Sequence, residues 1–178
     1  MRVYHLIKGL GRGGAEMLLP EVIRACPANE ATYRVGYFLP WKDNLVPTLE
    51  GLGVPVVCFG GTNNARILSQ VPRVVADARR WNADVLHCHL PVTGAVGRLA
   101  GKALGIPVVY TEHNLQERYH RLTAVLNKST WGLQARAIAC SDQVKTSIEG
   151  VIGTRVPVTT VPNGVSIDRF RPDPALRA

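Results

Sequence analysis

The chain has 178 residues, 46% hydrophobic and 19% charged, with 21 Lys plus Arg against 13 Asp plus Glu and a formal net charge of +8. This composition excludes a disordered chain, and the length suffices for one domain with a sizeable core. The basic excess suits an anionic partner, but Arg79-Arg80 is the only adjacent basic pair and aromatics make up 6%, which argues against a nucleic-acid module.

The first strand is expected at "RVYHLI", residues 2–7. Lys8 and Arg12 follow it closely, so the N-terminus lacks the apolar core of a signal peptide. The loop "KGLGRGGAE" then places Gly9, Gly11 and Gly14 in a G-x-G-x-x-G spacing and opens a helix over 14–26. "ATYRVGYFL" (31–39) and "VPVVCF" (54–59) read as strands two and three, with a helix over 43–52 between them and another over 63–81 after them. "DVLHC" (84–88), "PVVYTE" (107–112), "ARAIAC" (135–140) and "VPVTTVP" (156–162) read as strands four to seven. Helices over 92–104, 115–132 and 142–151 separate them. Strands alternating with helices at this spacing predict a doubly wound, mainly parallel, Rossmann-like α/β domain. Several runs are apolar almost throughout, as when helices cover both faces. The first strand begins at Arg2, so little is expected before it, and the Pro-rich tail "RPDPALRA" reads as a linker.

Cys26, Cys58, Cys88 and Cys140 form no C-x-x-C pair and read as buried thiols of a reducing compartment. No stretch reaches the roughly 18 apolar residues of a membrane helix. The expected location is cytoplasmic, and the positive charge favours peripheral contact with an anionic inner membrane face.

Ligands of open parallel sheets bind beyond the carboxyl ends of the strands. The glycine loop lies there, where a helix N-terminus offers free N–H groups and a partial positive charge to a phosphate. A dinucleotide site also requires an acid at the end of strand two. That strand ends "VGYFLP", the first acid beyond it is Asp43, and Arg34 within it is a poor 2′-phosphate ligand. His87 and His89 share one face of a strand and His113 could approach them, a three-histidine arrangement suited to zinc, but carboxylate partners are sparse and no metal is expected. No G-x-S-x-G elbow is present. What converges on one rim is the glycine loop, Arg12, Glu16, His89, Thr93, His113, Asn114, Arg118 and Ser141, a set suited to a phosphorylated or polyhydroxylated ligand. On these residues alone a standalone sugar- or phosphate-binding module and a nicotinamide-dependent enzyme both stay open.

"GGAE", "DVLHCHLPVTG", "VVYTEHN", "ACSD" and "VPNGV" occur in an order and spacing that resembles the N-terminal domain of GT-B glycosyltransferases of family 4, over residues 1–171. The resemblance implies a retaining, metal-independent hexosyltransferase with no cofactor beyond its nucleotide-sugar substrate. Its N-terminal domain binds a sugar, lipid-linked or phosphorylated acceptor and faces a C-terminal donor domain across a cleft. By the same resemblance, Gly13 and Gly14 approach the donor diphosphate and His113 lies beside the transferred sugar as the catalytic residue. Arg12, Glu16, His89, Thr93, Asn114 and Arg118 line the acceptor side. Ser141 and Asn163 complete the cleft, with 172–178 leading into an interdomain linker. The family's donor-holding basic pair and E-x7-E motif belong to the second domain, which this sequence does not contain, so the chain alone is expected to be inactive.

Overall fold

The computed structural model describes residues 1–27, 29–153 and 155–164. Seven parallel strands form one sheet: β1 (Arg2–Ile7), β2 (Thr32–Tyr37), β3 (Val56–Cys58), β4 (Val85–His89), β5 (Val108–Glu112), β6 (Arg136–Ala139) and β7 (Val158–Thr160). Their order is β3-β2-β1-β4-β5-β6-β7. The helices are α1 (Gly14–Ala25), α2 (Val46–Glu50), α3 (Asn64–Leu68), α4 (Val71–Arg80), α5 (Pro91–Leu104), α6 (Arg121–Thr130) and α7 (Asp142–Val151). Winding runs outward from β1 to β3 and then returns to β4 beside β1, so the switch point falls between β1 and β4. A crevice must open there, because the loops leaving the two strands diverge.

The sheet divides two cores. Tyr4, Leu6, Leu86, Cys88, Val108 and Tyr110 pack with α3, α4, α5 and α7 on one face. Ile7, Val35 and Tyr37 pack with α1 and α2 on the other. α5 lies closest to the sheet. Side chains added at Gly97 and Gly101 would collide with Cys88 and Val108, so these glycines permit the approach.

Two expected helices are broken, each for a local reason. The 63–81 segment divides into α3 and α4 because Pro72 lies in the first turn of α4; further inside a helix it would lack its N–H and clash with the preceding turn. The 115–132 segment begins as a 3₁₀ turn, Gln116–Arg118, before extended backbone at Tyr119. α6 then starts afresh after His120, whose ring accepts from Leu122 N–H at 3.4 Å. β2 stops before Phe38 and Leu39, whose N–H groups turn to the Lys8 carbonyl. The expected linker 172–178, and residues 165–171, lie outside the described residues. Among the described residues no helix is long and apolar enough to cross a membrane.

Candidate functional site

A cleft of about 320 Å³ opens at the switch point, lined by Gly14, Ala15, Glu16, Leu90, His113, Asn114 and Asn163. These come from the loops after β1, β4, β5 and β7, four carboxyl ends of one sheet. A larger hollow of about 720 Å³, lined by Arg24, Cys26, Pro55 and neighbours, lies at the amino ends of the strands. Parallel sheets do not build ligand sites at that end, and Arg24 is the only charged side chain in its lining.

The glycine loop serves two purposes. Gly9 and Gly11 face Lys42: a Cβ on Gly9 would meet Lys42 Cβ at 2.9 Å, and Leu10 N–H donates to the Lys42 carbonyl at 2.7 Å. Gly9 of the dinucleotide spacing therefore admits a neighbouring loop, not a pyrophosphate, while a Cβ on Gly11 would only reach ordinary contact with Lys42 at 3.7 Å. Arg34 is likewise engaged, in a bidentate pair with Asp77 at 2.8 and 3.0 Å that also takes the Tyr4 hydroxyl. Gly13 is the N-cap of α1 and lacks a side-chain cap. The first N–H groups of the helix are thus left for another acceptor. Nothing lies within 4 Å of a Cβ built on Gly14. The Glu16 carboxylate lies over Gly13, where it complements the helix dipole.

Leu90, at the cleft, has φ +72°. A non-glycine residue there stores strain and marks a position fixed by its surroundings. Thr93 does the fixing: its hydroxyl donates to the His89 and Leu90 carbonyls.

His113 owes its position to Glu112, which is fully buried. That carboxylate accepts from the N–H groups of His113 (3.0 Å) and Asn114 (3.2 Å), the hydroxyls of Tyr110 (2.8 Å) and Tyr119 (2.5 Å), and Gln116 Nε2 (2.5 Å). The loop after β5 is in effect wound around one carboxylate.

Behind His113 stands a row of imidazoles. Leu86 and Cys88 point into the large core, so alternation sends His87 and His89 to the opposite face. His5 joins them because it registers directly against His87. His5 Nδ1 lies 3.2 Å from His89 Nε2, and His89 Nδ1 lies 3.3 Å from His113 Nε2. His87 Nε2 is 2.7 Å from the Thr111 hydroxyl. Burial lowers the pKa of all four, bringing His87 to about 4. Neighbouring imidazoles lower His5, His87 and His89 further. Each of these effects favours the neutral ring. Ligand nitrogens of His5, His87 and His89 lie within 4.8 Å of one another, the one such group among the described residues. The third member is His5, not the His113 of the sequence reading.

Of the remaining sequence-derived candidates, Glu16, Asn114, Gly14 and Asn163 reach the cleft wall together with His113. His89 stands behind His113, with 8% exposure. Thr93 is wholly buried and braces Leu90 rather than opening to the cleft. Ser141 caps α7, its hydroxyl accepting from Val144 N–H at 3.2 Å. Arg12, Gly13 and Arg118 are exposed and are not among the described residues that line the cleft. Glu112 and His5 were not among the candidates, whereas Leu90 opens the "LPVTG" loop that the family resemblance places at the acceptor pocket.

The seven-stranded, doubly wound parallel domain matches the N-terminal half of the GT-B fold. The chain belongs to Glycosyltransferase Family 4, whose family model matches residues 3–169. It is 23% identical over 145 residues to the UDP-Gal:alpha-D-GlcNAc-diphosphoundecaprenol alpha-1,3-galactosyltransferase of Escherichia coli, covering 75% of this chain and 36% of that protein. Among solved structures, Anabaena Alr3699/HepE in complex with UDP-glucose superposes with a TM-score of 0.82 at 21% identity, over 98% of this chain and 47% of that one. Sucrose-phosphate synthase from Thermosynechococcus elongatus superposes with a TM-score of 0.77 at 14% identity, over 99% of this chain and 52% of that one. The chain thus spans about half the length of these structures and 36% of the curated relative.

Proposed function

We propose that this chain is the acceptor-binding half of a retaining, metal-independent glycosyltransferase that moves a sugar from a nucleotide donor to a sugar acceptor. The observation that carries this reading is the switch-point cleft, with the free α1 N-terminus on one wall and His113 on the other. The α1 N–H groups at Gly14 and Ala15 face the donor diphosphate, and their partial positive charge offsets the charge developing on the leaving group. His113 stands beside the transferred sugar. The Glu16 carboxylate lies over Gly13 at the same N-terminus and would repel a phosphate, so the diphosphate needs it to swing aside toward acceptor hydroxyls, which Asn114 also suits. Arg118, exposed on the 3₁₀ turn, meets an anionic part of the acceptor. Uridine nucleotides and a diphosphate-linked lipid acceptor in the relatives' names make a UDP-sugar and a diphospho-lipid-linked sugar the first substrates to test.

Transfer requires a donor domain to hold the nucleotide against the acceptor, a proximity effect of roughly 7–11 kcal/mol of barrier. The 178-residue chain alone should therefore show no transfer, while an enzyme joining it to a donor domain should transfer with retained anomeric configuration in the presence of EDTA. Transfer by the chain alone, inversion at the anomeric carbon, or loss of activity in EDTA would each contradict the reading. In that enzyme Gly14→Val places an isopropyl group in the cleft without a backbone clash. KM for the donor should rise about tenfold or more, equivalent to about 1.4 kcal/mol, with the melting temperature unchanged. An unchanged KM would remove Gly14 from the diphosphate site.

A further inference from the structure

His5, His89 and His113 form a chain that the proposed reaction does not by itself require. Their ring planes are nearly parallel, inclined by 21° and 28° along the row. The two nitrogen–nitrogen contacts, 3.2 and 3.3 Å, each need one N–H and one bare nitrogen. A neutral imidazole has a single N–H. A proton on His5 Nδ1 therefore leaves His89 Nε2 bare, puts the His89 proton on Nδ1, and leaves His113 Nε2 bare. The opposite choice at His5 reverses every member. The three rings carry one shared tautomer, either Nδ1–H throughout or Nε2–H throughout.

The buried end decides between them. His5 has 2% exposure, and its Nε2 has no hydrogen-bond partner among the described residues. In the Nε2–H arrangement a buried N–H would point at no acceptor, a rare condition in folded proteins. In the Nδ1–H arrangement that nitrogen is bare and its proton serves His89. We infer that His5 and His89 are positioning residues that hold His113 as the Nδ1–H tautomer, so that the ring presents a hydrogen-bond donor to the cleft. His113 Nδ1 is the nitrogen outside the chain, on a residue that lines the cleft. A donor there suits a phosphate or sugar oxygen, and it means that resting His113 is not a base. This meaning for catalysis rests on the glycosyl-transfer reading; the tautomer itself does not.

The test uses the 178-residue chain and reads no activity, so failure of the transfer reading leaves it intact. In long-range ¹H–¹⁵N spectra of the uniformly ¹⁵N-labelled chain at neutral pH, His5, His89 and His113 should each show a protonated Nδ1 and a bare Nε2. His5→Phe removes the first donor, and His113 should then average between tautomers. His5→Asn restores an amide N–H near the Nδ1 position and should return the single Nδ1–H pattern at His113. An Nε2–H pattern at His113 in the unsubstituted chain overturns the inference, whatever the variants do. An unchanged His113 spectrum in folded His5→Phe also overturns it, because the His113 tautomer would then be set by something other than His5.

Discussion

Glu112→Ala should lower the melting temperature by about 10 °C or more, the largest loss of stability expected from any single change near the cleft. The side chain is fully buried and accepts five hydrogen bonds, two of them from the backbone of the loop that carries His113. A carboxylate only accepts, so it can satisfy all five donors at once. Alanine leaves them facing a void. Removing one member of a buried charged network costs about 3–5 kcal/mol, and each kcal/mol is worth roughly 2–4 °C in a domain of this size. The Arg98 guanidinium, also fully buried, lies 4.5 Å from the centroid of the Tyr110 ring and loses a nearby countercharge through the same change. Glu112→Gln should fall between, because its amide keeps one oxygen but turns N–H groups toward donors. Thermal denaturation followed by circular dichroism measures the effect. A melting temperature within 2 or 3 °C of the parent, a window scaled by the same roughly 2–4 °C per kcal/mol, would mean that the five donors find other partners and that Glu112 does not organise the loop.

The sheet was legible because each strand is a short apolar run with its own turn signals, and a parallel sheet needs no register information beyond that. The helices were less legible where proline position mattered. Pro72 reads as tolerable inside the long 63–81 segment until the capping of α4 shows that it begins a new helix. Within the site, glycine, histidine and asparagine at strand ends point to a rim on their own, and Gly14, His113 and Asn114 do meet in one cleft. The G-x-G-x-x-G spacing misleads, since Gly9 answers to Lys42, about 30 residues away in sequence and adjacent only after folding. Thr93 misleads differently: its place just after the carboxyl end of β4 suggests a rim residue, but the first turn of α5 turns the hydroxyl back onto carbonyls. His5 was hidden because its partner strand is β4, a pairing that follows from the switch in strand order and not from proximity in the chain. Once that order is assumed, a histidine in β1 opposite one in β4 is the signal that could have found it. Glu112 was passed over because a lone acid at a strand end looks solvated, and only the convergence of Tyr110, Gln116 and Tyr119 shows it to be a hub.

His113→Ala in an active enzyme should lower kcat by about 10²-fold or more, the scale of losing one well-placed polar group beside a reacting centre. Donor binding should be largely kept, because the α1 N-terminus that faces the diphosphate is untouched. The ring is half-buried at the cleft wall, and His89 Nδ1, left without it, gains access to water there. The melting temperature should therefore stay within about 3 °C of the parent. The account's central claim is that this cleft is where sugar transfer occurs. Measuring kcat and melting temperature on the same His113→Ala protein tests it most directly. A large fall in kcat at nearly constant melting temperature is the predicted result. A lowered melting temperature, with activity per folded molecule close to that of the parent, would make His113 a packing residue and contradict the claim.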